Sequence, residues 1–247
     1  MKENNSKRFS VSYDNYLFWA LAVIAPICIK IVINALVNES VAAVLSQMEN
    51  ITDIVELNKR FAESGLGVMS TGIASFFVIL IMLWMIKNDD CSGVGGEWYG
   101  LHKIAMTHVV VLIVSSVVLS LSINYIVNII FDSYSEGYTS TEKILFSGAL
   151  FMRLFVLGII VPVCEEYIFR GIVFKRLTIQ VKPIAAVLIS AILFGLYHGN
   201  MLQGVYATLM GIILGLLYEK YRNLLAPIIV HAVANMTVIV FESIFVR

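Results

Sequence analysis

Residues 150–177 read LFMRLFVLGIIVPVCEEYIFRGIVFKRL, a hydrophobic stretch with two adjacent glutamates and an arginine in its interior. A hydrocarbon core of about 30 Å needs roughly 20 apolar residues in a helix, so this stretch is long enough to cross a bilayer. It is longer than a straight crossing requires, and it contains Pro162. The stretch therefore predicts a membrane-spanning helix that is kinked or tilted and carries charged residues inside it.

The composition of the whole chain also indicates a membrane protein. Of its 247 residues, 59% are hydrophobic and 14% are charged, whereas soluble domains contain about 45–50% apolar and about 25% charged residues. The 17 basic and 17 acidic residues cancel, which argues against a nucleic-acid partner. The three cysteines do not form the paired pattern of a disulfide framework. We therefore expect the lipid bilayer to be the environment of this chain.

Apolar segments flank the central stretch on both sides. The predicted spans are residues 16–37, 66–86, 104–130, 150–177, 184–198, 201–218 and 225–245. This pattern predicts an all-α fold, a polytopic transmembrane helical bundle of about seven spans that forms a single integral-membrane domain over residues 1–247. The loop over residues 38–65 contains a helix-like amphipathic segment, which is either a plain connector or an eighth, half-buried element.

The distribution of basic residues predicts the orientation. With the N-terminus in the cytoplasm, ten of the 17 Lys and Arg residues fall in inside segments and four in outside segments. Cytoplasmic loops carry such an excess of positive charge. We therefore expect a multi-pass cell-membrane protein with a cytoplasmic N-terminus. The small size, the Ile- and Asn-rich composition and the minimal loops are typical of a bacterial protein.

Three charged residues inside the fourth span call for a function. A charged side chain inside a span costs about 2.5–3.5 kcal/mol and marks a functional site by default. Glu166 and Arg170 are four residues apart, so they share a helix face and can neutralise each other. Glu165 is rotated by about 100° from Glu166, which leaves it available to another group. Lys30 and Arg153, by contrast, have long stems and are expected to reach the membrane interface.

Two later spans carry the remaining polar candidates. Phe194 and His198 are four residues apart in the fifth span, and His231 and Asn235 have the same spacing in the seventh. Counted from the cytoplasmic helix ends at about 1.5 Å per residue, Glu165 and these His and Asn residues all fall at mid-membrane depth. They are therefore expected to converge on one polar cavity, provided that the fourth helix continues to its predicted end.

The three motifs together resemble a known family. Glu-Glu-x-x-x-Arg, Phe-x-x-x-His and His-x-x-x-Asn follow one another on successive hydrophobic helices. This order is similar to that of the CAAX-protease and bacteriocin-processing family of intramembrane endopeptidases, called CPBP or Abi. The resemblance lies within residues 163–235 and predicts a catalytic core over residues 144–240. It implies a glutamic-type intramembrane protease that hydrolyses a peptide bond in a membrane-associated peptide or protein, by peptide-precursor or CAAX-type processing.

The resemblance also implies roles for the motif residues of the fourth and fifth spans. Glu165 would be the general base, and His198 would hold or activate the water. Arg170 and Glu166 would brace the site. A water held between a carboxylate and an imidazole is a competent nucleophile, so this division of roles is chemically sound.

The seventh span would complete the site. The resemblance implies that His231 and Asn235 stabilise the oxyanion of the tetrahedral intermediate, and buried donors of this kind stabilise developing negative charge. Phe194 is a weaker candidate, for contact with the substrate. A mechanism without a metal is favoured because no HExxH motif is present. If zinc is bound, the ligands would be Glu165, His198 and His231, which leave one position open.

Two functions other than proteolysis stay open at this point. One is a non-enzymatic membrane immunity or sensory protein that keeps the cavity for binding. The other is a proton-coupled carrier that uses Glu165, Glu166 and His198 as a relay, although the internal repeats typical of such carriers are not apparent. Several peptide substrates are consistent with the sequence. Its bacterial character argues against a prenylated substrate.

Overall fold

The computed structural model describes residues 16–92, 100–131 and 148–245. Within these ranges all regular secondary structure is helical, which confirms the predicted all-α bundle. The helices are α1 (Tyr16–Glu49), α2 (Ile54–Glu63), α3 (Leu66–Ser92), α4 (Met106–Phe131), α5 (residues 150–177), α6 (Pro183–Tyr197), α7 (Met201–Tyr221) and α8 (Leu225–Phe245).

Each of the seven predicted spans corresponds to a helix. Among the described residues, α1, α3, α4, α7 and α8 contain segments long and apolar enough to cross a membrane. Helix α5 runs through the whole of the predicted fourth span. Helix α6 has 15 residues and is therefore about 22 Å long, less than the thickness of the hydrocarbon core. The chain is thus a multi-pass membrane protein in which α6 is too short to cross alone.

The predicted loop between the first two spans is largely helical. Helix α1 continues to Glu49, twelve residues beyond its predicted end. The amphipathic segment forms α2, which begins after Asp53, whose carboxylate accepts a hydrogen bond from the Val55 N–H at 3.0 Å. No residue of α2 is buried. The eighth element therefore exists. Its residues Glu56, Leu57, Phe61 and Ala62 are partly covered and the others are exposed, and its half-buried position in the membrane stays a prediction.

Helix α5 alternates between α- and π-helical turns. Val156–Ile160 and Tyr167–Phe174 are π-helical, and Val161–Glu166 between them is α-helical. The first π segment directly precedes Pro162, so the irregularity predicted there takes the form of a widened turn. Such turns are frequent at functional sites. The helix continues past Arg170, which is the condition for the convergence predicted above.

Helix α5 occupies the centre of the bundle. All residues of its second π segment, Tyr167–Phe174, are buried. Helices α1, α3, α6, α7 and α8 contact α5, whereas α4 packs on α7 and α8. The glutamate pair is thus enclosed by helices from both halves of the chain.

Small residues bring α7 very close to α6. A Cβ atom on Gly211 would lie 3.1 Å from the Ala191 Cα, and one on Gly215 would lie 3.0 Å from the Val187 Cγ1. Close helix packing on small residues is typical of membrane bundles. It also brings the Gly211 carbonyl oxygen to 2.8 Å from the Arg170 Nη2, which donates a hydrogen bond to it.

Lys30 and Arg153 do not behave as predicted. They are only 1% and 2% exposed, so both are enclosed by protein and do not extend along the lipid-facing surface. The Lys30 Nζ donates a hydrogen bond to the Ser75 Oγ at 2.6 Å, which joins α1 to α3. The prediction was wrong because position along a span does not reveal whether a side chain faces lipid or a neighbouring helix.

Polar contacts join the helix ends where α1 begins. Arg176 forms two hydrogen bonds of 2.9 Å with the Asp89 carboxylate and a third with the Ala22 carbonyl oxygen. The Asn223 Nδ2 donates to the His102 carbonyl oxygen at 2.8 Å, and the His102 N–H donates back to the Asn223 Oδ1 at 3.2 Å. We call this region, defined by Arg176, Asp89, Asn223 and His102, the closed end.

The predicted orientation rests partly on residues outside the described ranges. These are Lys2, Lys7, Arg8, Lys143 and Arg247. The first four residues of the predicted catalytic core, 144–147, also lie outside them. The cytoplasmic N-terminus and the limits of the core stay predictions.

Candidate active site

A cavity of about 600 Å³ brings Glu165, His198 and Asn235 to one space. This volume lies in the range of sites that bind small molecules and peptide segments. The other polar residues that line it are Lys30, Asn34, Asn38, Thr71, Asn124, Asn128, Tyr197, Gln203 and Tyr206. Twelve of the 20 residues that line the cavity are therefore polar or charged.

The residues that line the cavity come from one half of the bundle. Thr71 lies near the start of α3, Asn128 near the end of α4, His198 directly after α6, and Gln203 near the start of α7. Consecutive spans run in opposite directions, so these positions lie at the side opposite the closed end. We call this side the cavity half.

Glu165 reaches the cavity without a close partner in the motifs. Glu165 is 4% exposed and lines the cavity. The Oε2 lies 3.6 Å from the His231 Nε2, which is beyond the range of a hydrogen bond. The carboxylate is therefore positioned to interact with a group inside the cavity.

Glu166 has the opposite environment. It is fully buried, and its Oε1 accepts hydrogen bonds from the Arg170 Nη1 and the His231 Nδ1, both at 2.8 Å. The expected Glu166–Arg170 pair is thus present. Because the carboxylate paired with a guanidinium accepts and does not donate, the proton of neutral His231 must lie on Nδ1. The Nε2 that faces Glu165 is then an acceptor.

The end of α6 holds His198. The His198 N–H bonds to the Gly195 carbonyl oxygen at 3.1 Å, which leaves the Phe194 carbonyl oxygen without its usual helical donor. The His198 Nδ1 lies 2.8 Å from this oxygen. A carbonyl can only accept, so Nδ1 carries the proton and Nε2 is left as an acceptor. This contact gives the four-residue spacing of Phe-x-x-x-His a physical meaning.

The turn after His198 is tightly constrained. Gly199 has φ of +66°, a left-handed conformation that favours glycine. The Asn200 Oδ1 then accepts hydrogen bonds from the N–H groups of Leu202 at 3.0 Å and Gln203 at 3.3 Å, which caps the start of α7. The position of the imidazole is therefore held from both sides of the turn.

Asn235 is positioned by the irregular turn before Pro162. The Val161 N–H bonds to the Val156 carbonyl five residues back, as in a π-helix. In that register the Leu157 carbonyl would pair with residue 162, but proline has no N–H. The Leu157 oxygen instead accepts from the Asn235 Nδ2 at 3.0 Å. Because Pro162 cannot donate to it, the Leu157 carbonyl oxygen is free to accept from Asn235 and orients this side chain beside the cavity.

Phe194 does not lie where a substrate contact was expected. It is 1% exposed and does not line the cavity. Its ring centroid lies 4.9 Å from that of His198 and 5.5 Å from that of His231, both edge-to-face, and the Arg170 guanidinium lies 5.1 Å from the ring. The ring thus fills the space between the motif residues in this arrangement, and its contact with a substrate stays a prediction.

His231 also differs from the expectation. It is 4% exposed and does not line the cavity, and its Nδ1 is bonded to Glu166. Of the two predicted oxyanion donors, only Asn235 faces the cavity. His231 lies between the two glutamates, and its role as an oxyanion donor stays a prediction.

The described residues do not assemble a metal site. No group of three or more His, Cys, Asp or Glu side chains among them is placed to hold a metal ion. The possible zinc set of Glu165, His198 and His231 stays a prediction, as does the mechanism without a metal.

Sequence reasoning missed much of the cavity wall. Lys30, Asn34 and Asn38 are spaced by four residues on α1, which places them on one face. Asn124 and Asn128 have the same spacing on α4, and the Asn128 Nδ2 donates to the Asn124 Oδ1 at 2.6 Å. The periodic placement of amides inside spans was a usable signal for these residues.

Comparison with protein families supports the motif assignment. The family model of Rce1-like type II CAAX prenyl endopeptidases matches residues 146–237, which contain all three motifs. The chain belongs to the CPBP family. The CPBP match includes helices α5 to α7 and most of α8, whereas α1 to α4 lie outside it.

Three curated relatives of this CPBP protein are similar over part of their length. The membrane-embedded CAAX protease MroQ of Staphylococcus aureus (strain USA300) is 32% identical over 110 residues, 42% of this chain and 44% of MroQ. YdiL of Bacillus subtilis (strain 168) is 31% identical over 91 residues, 37% of each chain. The UPF0177 protein YxdF of Lactococcus lactis subsp. lactis (strain IL1403) is 30% identical over 123 residues, 47% of this chain and 68% of YxdF.

The matches thus span less than half the length of MroQ and YdiL. No solved structure matches this CPBP chain significantly.

Proposed function

We propose that this protein is an intramembrane endopeptidase that hydrolyses a peptide bond in a membrane-associated peptide or protein. The observation that carries the proposal is the shared cavity of Glu165, His198 and Asn235. A carboxylate, an imidazole acceptor and an amide donor are the groups that a water-mediated hydrolysis requires. The membership of a protease family supports the same function.

The nucleophile in this mechanism is a water held by two acceptors. One proton of the water points to the Glu165 carboxylate and the other to the His198 Nε2, whose partner nitrogen is held by the Phe194 carbonyl. As the water oxygen attacks the scissile carbonyl carbon, Glu165 takes the proton. The same proton then passes to the leaving amine when the carbon–nitrogen bond breaks. Glu165 returns to its ionised state.

The buried cluster behind Glu165 supports its proton transfer. The Nδ1–H of His231 is bonded to Glu166, so the His231 Nε2 is an acceptor 3.6 Å from the Glu165 Oε2. Protonated Glu165 gains a hydrogen-bond acceptor there by a small movement. Arg170 balances the charge of Glu166, because an unpaired buried carboxylate is strongly unfavourable.

Asn235 supplies a donor for the oxyanion. Its amide group has two N–H bonds, and the Leu157 carbonyl uses one of them. The other is available to the oxygen of the tetrahedral intermediate. The loss of one oxyanion donor reduces the rate by about 10²–10³-fold in other proteases. The Asn235→Ala variant is expected to lose activity to that extent.

The decisive experiment compares two variants with a matched control. Purified Glu165→Ala and His198→Ala proteins are expected to remain monodisperse in detergent and to cleave no peptide. Cys164→Ala changes the neighbouring residue, which does not line the cavity, and should retain cleavage. Proteolysis that persists in both Glu165→Ala and His198→Ala would disprove the mechanism.

We propose that the mechanism works without a metal, since the sequence has no HExxH motif. Purified protein should retain its activity after treatment with a chelator. Elemental analysis should find no stoichiometric zinc. Loss of activity on chelation that zinc restores would assign the water activation to the metal.

The Glu165→Gln variant separates catalysis from binding. It keeps the shape of the side chain but removes the base. An immunity phenotype that survives this change would favour a non-enzymatic role. Loss of the phenotype together with loss of cleavage supports the protease.

We further infer that the N-terminus is cytoplasmic, which places the cavity half on the outer side of the cell membrane. The positive-inside rule supports this orientation. In a variant without natural cysteines, Ser64→Cys should react with an impermeant maleimide on intact cells. Gln180→Cys, near the closed end, should react only after permeabilisation. The reverse pattern would overturn the orientation.

A further inference from the structure

The amide side chains inside the spans converge on the cavity. Asn34 and Asn38 come from α1, Asn124 and Asn128 from α4, Gln203 from α7 and Asn235 from α8. Four of these six lie on α1 and α4, which are outside the matched family region. The wall beyond Glu165 and His198 is thus built for hydrogen bonding by a part of the chain that the catalytic motifs do not include.

Most of these amides have partners within the protein, but two polar atoms in the wall do not. Asn38 accepts from the Ser70 Oγ at 2.5 Å, and Asn124 accepts from Asn128. The Asn34 Oδ1 and the Tyr206 hydroxyl oxygen are buried, and neither has a hydrogen-bond partner in the described part of the chain. Both residues line the cavity. Unpartnered buried polar groups are rare and need an explanation.

The chemistry of the two atoms is complementary. The amide oxygen of Asn34 can only accept a hydrogen bond, whereas the hydroxyl of Tyr206 can donate one. An extended peptide segment presents one N–H and one C=O per residue, and each is costly to bury in a membrane without a partner. An acceptor and a donor from two helices that line one cavity therefore match the main chain of such a segment.

We propose that Asn34 and Tyr206 form a subsite that binds the main chain of an extended, unlipidated peptide segment next to Glu165. Asn34 accepts from a main-chain N–H of the substrate, and Tyr206 donates to a main-chain carbonyl. A prenyl chain in the same place would leave both polar atoms and the neighbouring amides without partners. The subsite rests on the proposed peptidase function and specifies the substrate class for it.

The experiment begins with a library of internally quenched decapeptides, from which one cleaved sequence is taken as the probe. Asn34→Leu and Tyr206→Phe are each expected to raise KM by about three- to tenfold, the value of one neutral hydrogen bond, with kcat nearly unchanged. Tyr125→Phe and Asn58→Leu make the same chemical changes outside the cavity and should leave KM unchanged.

Ester analogues of the probe identify the contact. Replacement of one non-scissile amide by an ester removes a single N–H and keeps the carbonyl. At one position the ester should raise KM about three- to tenfold for the unchanged protein and have no further effect on Asn34→Leu. The Tyr206→Phe protein should still respond to that ester, because its lost contact is to a carbonyl.

A pair of probes that carry S-farnesyl- or S-methylcysteine tests the substrate class. The methylated peptide should be cleaved with a kcat/KM at least equal to that of the farnesylated one. A preference for the farnesylated peptide of more than about tenfold would overturn the proposal.

The results distinguish an error in the proposed subsite from an error in the proposed peptidase function. If the probe is cleaved in a Glu165-dependent way but KM is unchanged in both Asn34→Leu and Tyr206→Phe, the subsite is wrong and the peptidase stands. If no peptide in the library is cleaved by the unchanged protein, both are wrong.

Discussion

The closed end and the cavity half both contain polar groups in a hydrophobic chain, but they differ in how these groups are satisfied. At the closed end, Arg176 and Asp89 form a bidentate pair, and Asn223 exchanges two hydrogen bonds with the backbone of His102. In the cavity half, Asn34 and Tyr206 each have a buried oxygen that no described residue bonds to.

The difference separates polar residues that hold helices together from those with an oxygen that bonds to no other described residue. A hydrogen bond that joins two elements adds to stability, and a polar group left open lowers stability until something binds. Glu165 and Glu166 also differ, although they are adjacent. The Glu166 Oε1 is bonded to Arg170 and His231, whereas Glu165 faces the cavity.

We expect the largest effect on activity when the acceptor nitrogen of His198, Nε2, is removed. His198→Asn places an amide near the position of Nδ1 and can keep the bond to the Phe194 carbonyl, but it has no counterpart of Nε2. We expect cleavage to fall by about 10²–10⁴-fold, as for the loss of a proton-handling group. The melting temperature in detergent should change little. Cleavage at the normal rate would show that Nε2 takes no part.

The next largest effect is on stability, and it comes from the ion pair between Glu166 and Arg170. Arg170→Met leaves Glu166 buried without its counter-ion and should cost about 3–5 kcal/mol. The double variant Glu166→Gln/Arg170→Met removes the stranded charge and should be more stable than Arg170→Met alone. Thermal unfolding in detergent measures both. A double variant less stable than the single one would show that charge balance is not the reason for the pair.

A smaller effect comes from helix spacing beside the cavity. A Cβ on Gly195 would lie 2.6 Å from the Gly204 carbonyl oxygen. Gly195→Ala should therefore cost about 1–3 kcal/mol and also reduce cleavage, because it displaces the end of α6 that holds His198. Gly215→Ala crowds the same helix pair near Val187, away from His198, and should affect stability alone. Equal loss of cleavage in both variants would contradict this division.

The smallest expected effect lies at the closed end. Asp89→Asn weakens the charged pair with Arg176 but keeps an acceptor, so it should cost about 1 kcal/mol. Cleavage measured below the unfolding temperature should be unchanged, since the pair lies away from the cavity. Reduced kcat in a folded Asp89→Asn protein would mean that the two regions are coupled.

The helices were predictable because each span is a local property. A helix of about 20 apolar residues spans the thickness of the bilayer wherever it occurs in the chain. Helix α8, for example, begins and ends at the predicted residues. The Glu166–Arg170 pair was predictable for the same reason, since a spacing of four sets a shared face within one helix. The end of α1 was missed because hydropathy marks the membrane boundary and not the last helical turn.

The burial of Lys30 and Phe194 was not predictable in the same way. Both depend on which helix lies beside them: Ser75 on α3 receives Lys30, and Arg170 and His231 enclose Phe194. Hydropathy and spacing describe one helix at a time, so they contain no information on the rotation of one helix relative to another.

Composition and spacing alone identify this chain as a membrane bundle and pick out the polar residues of its motifs. Which of these residues face the cavity depends on how the helices pack: Glu165, His198 and Asn235 face it, whereas Glu166 and His231 are buried behind them. Composition and periodicity are properties of one helix, whereas a cavity forms between helices that are distant in the chain.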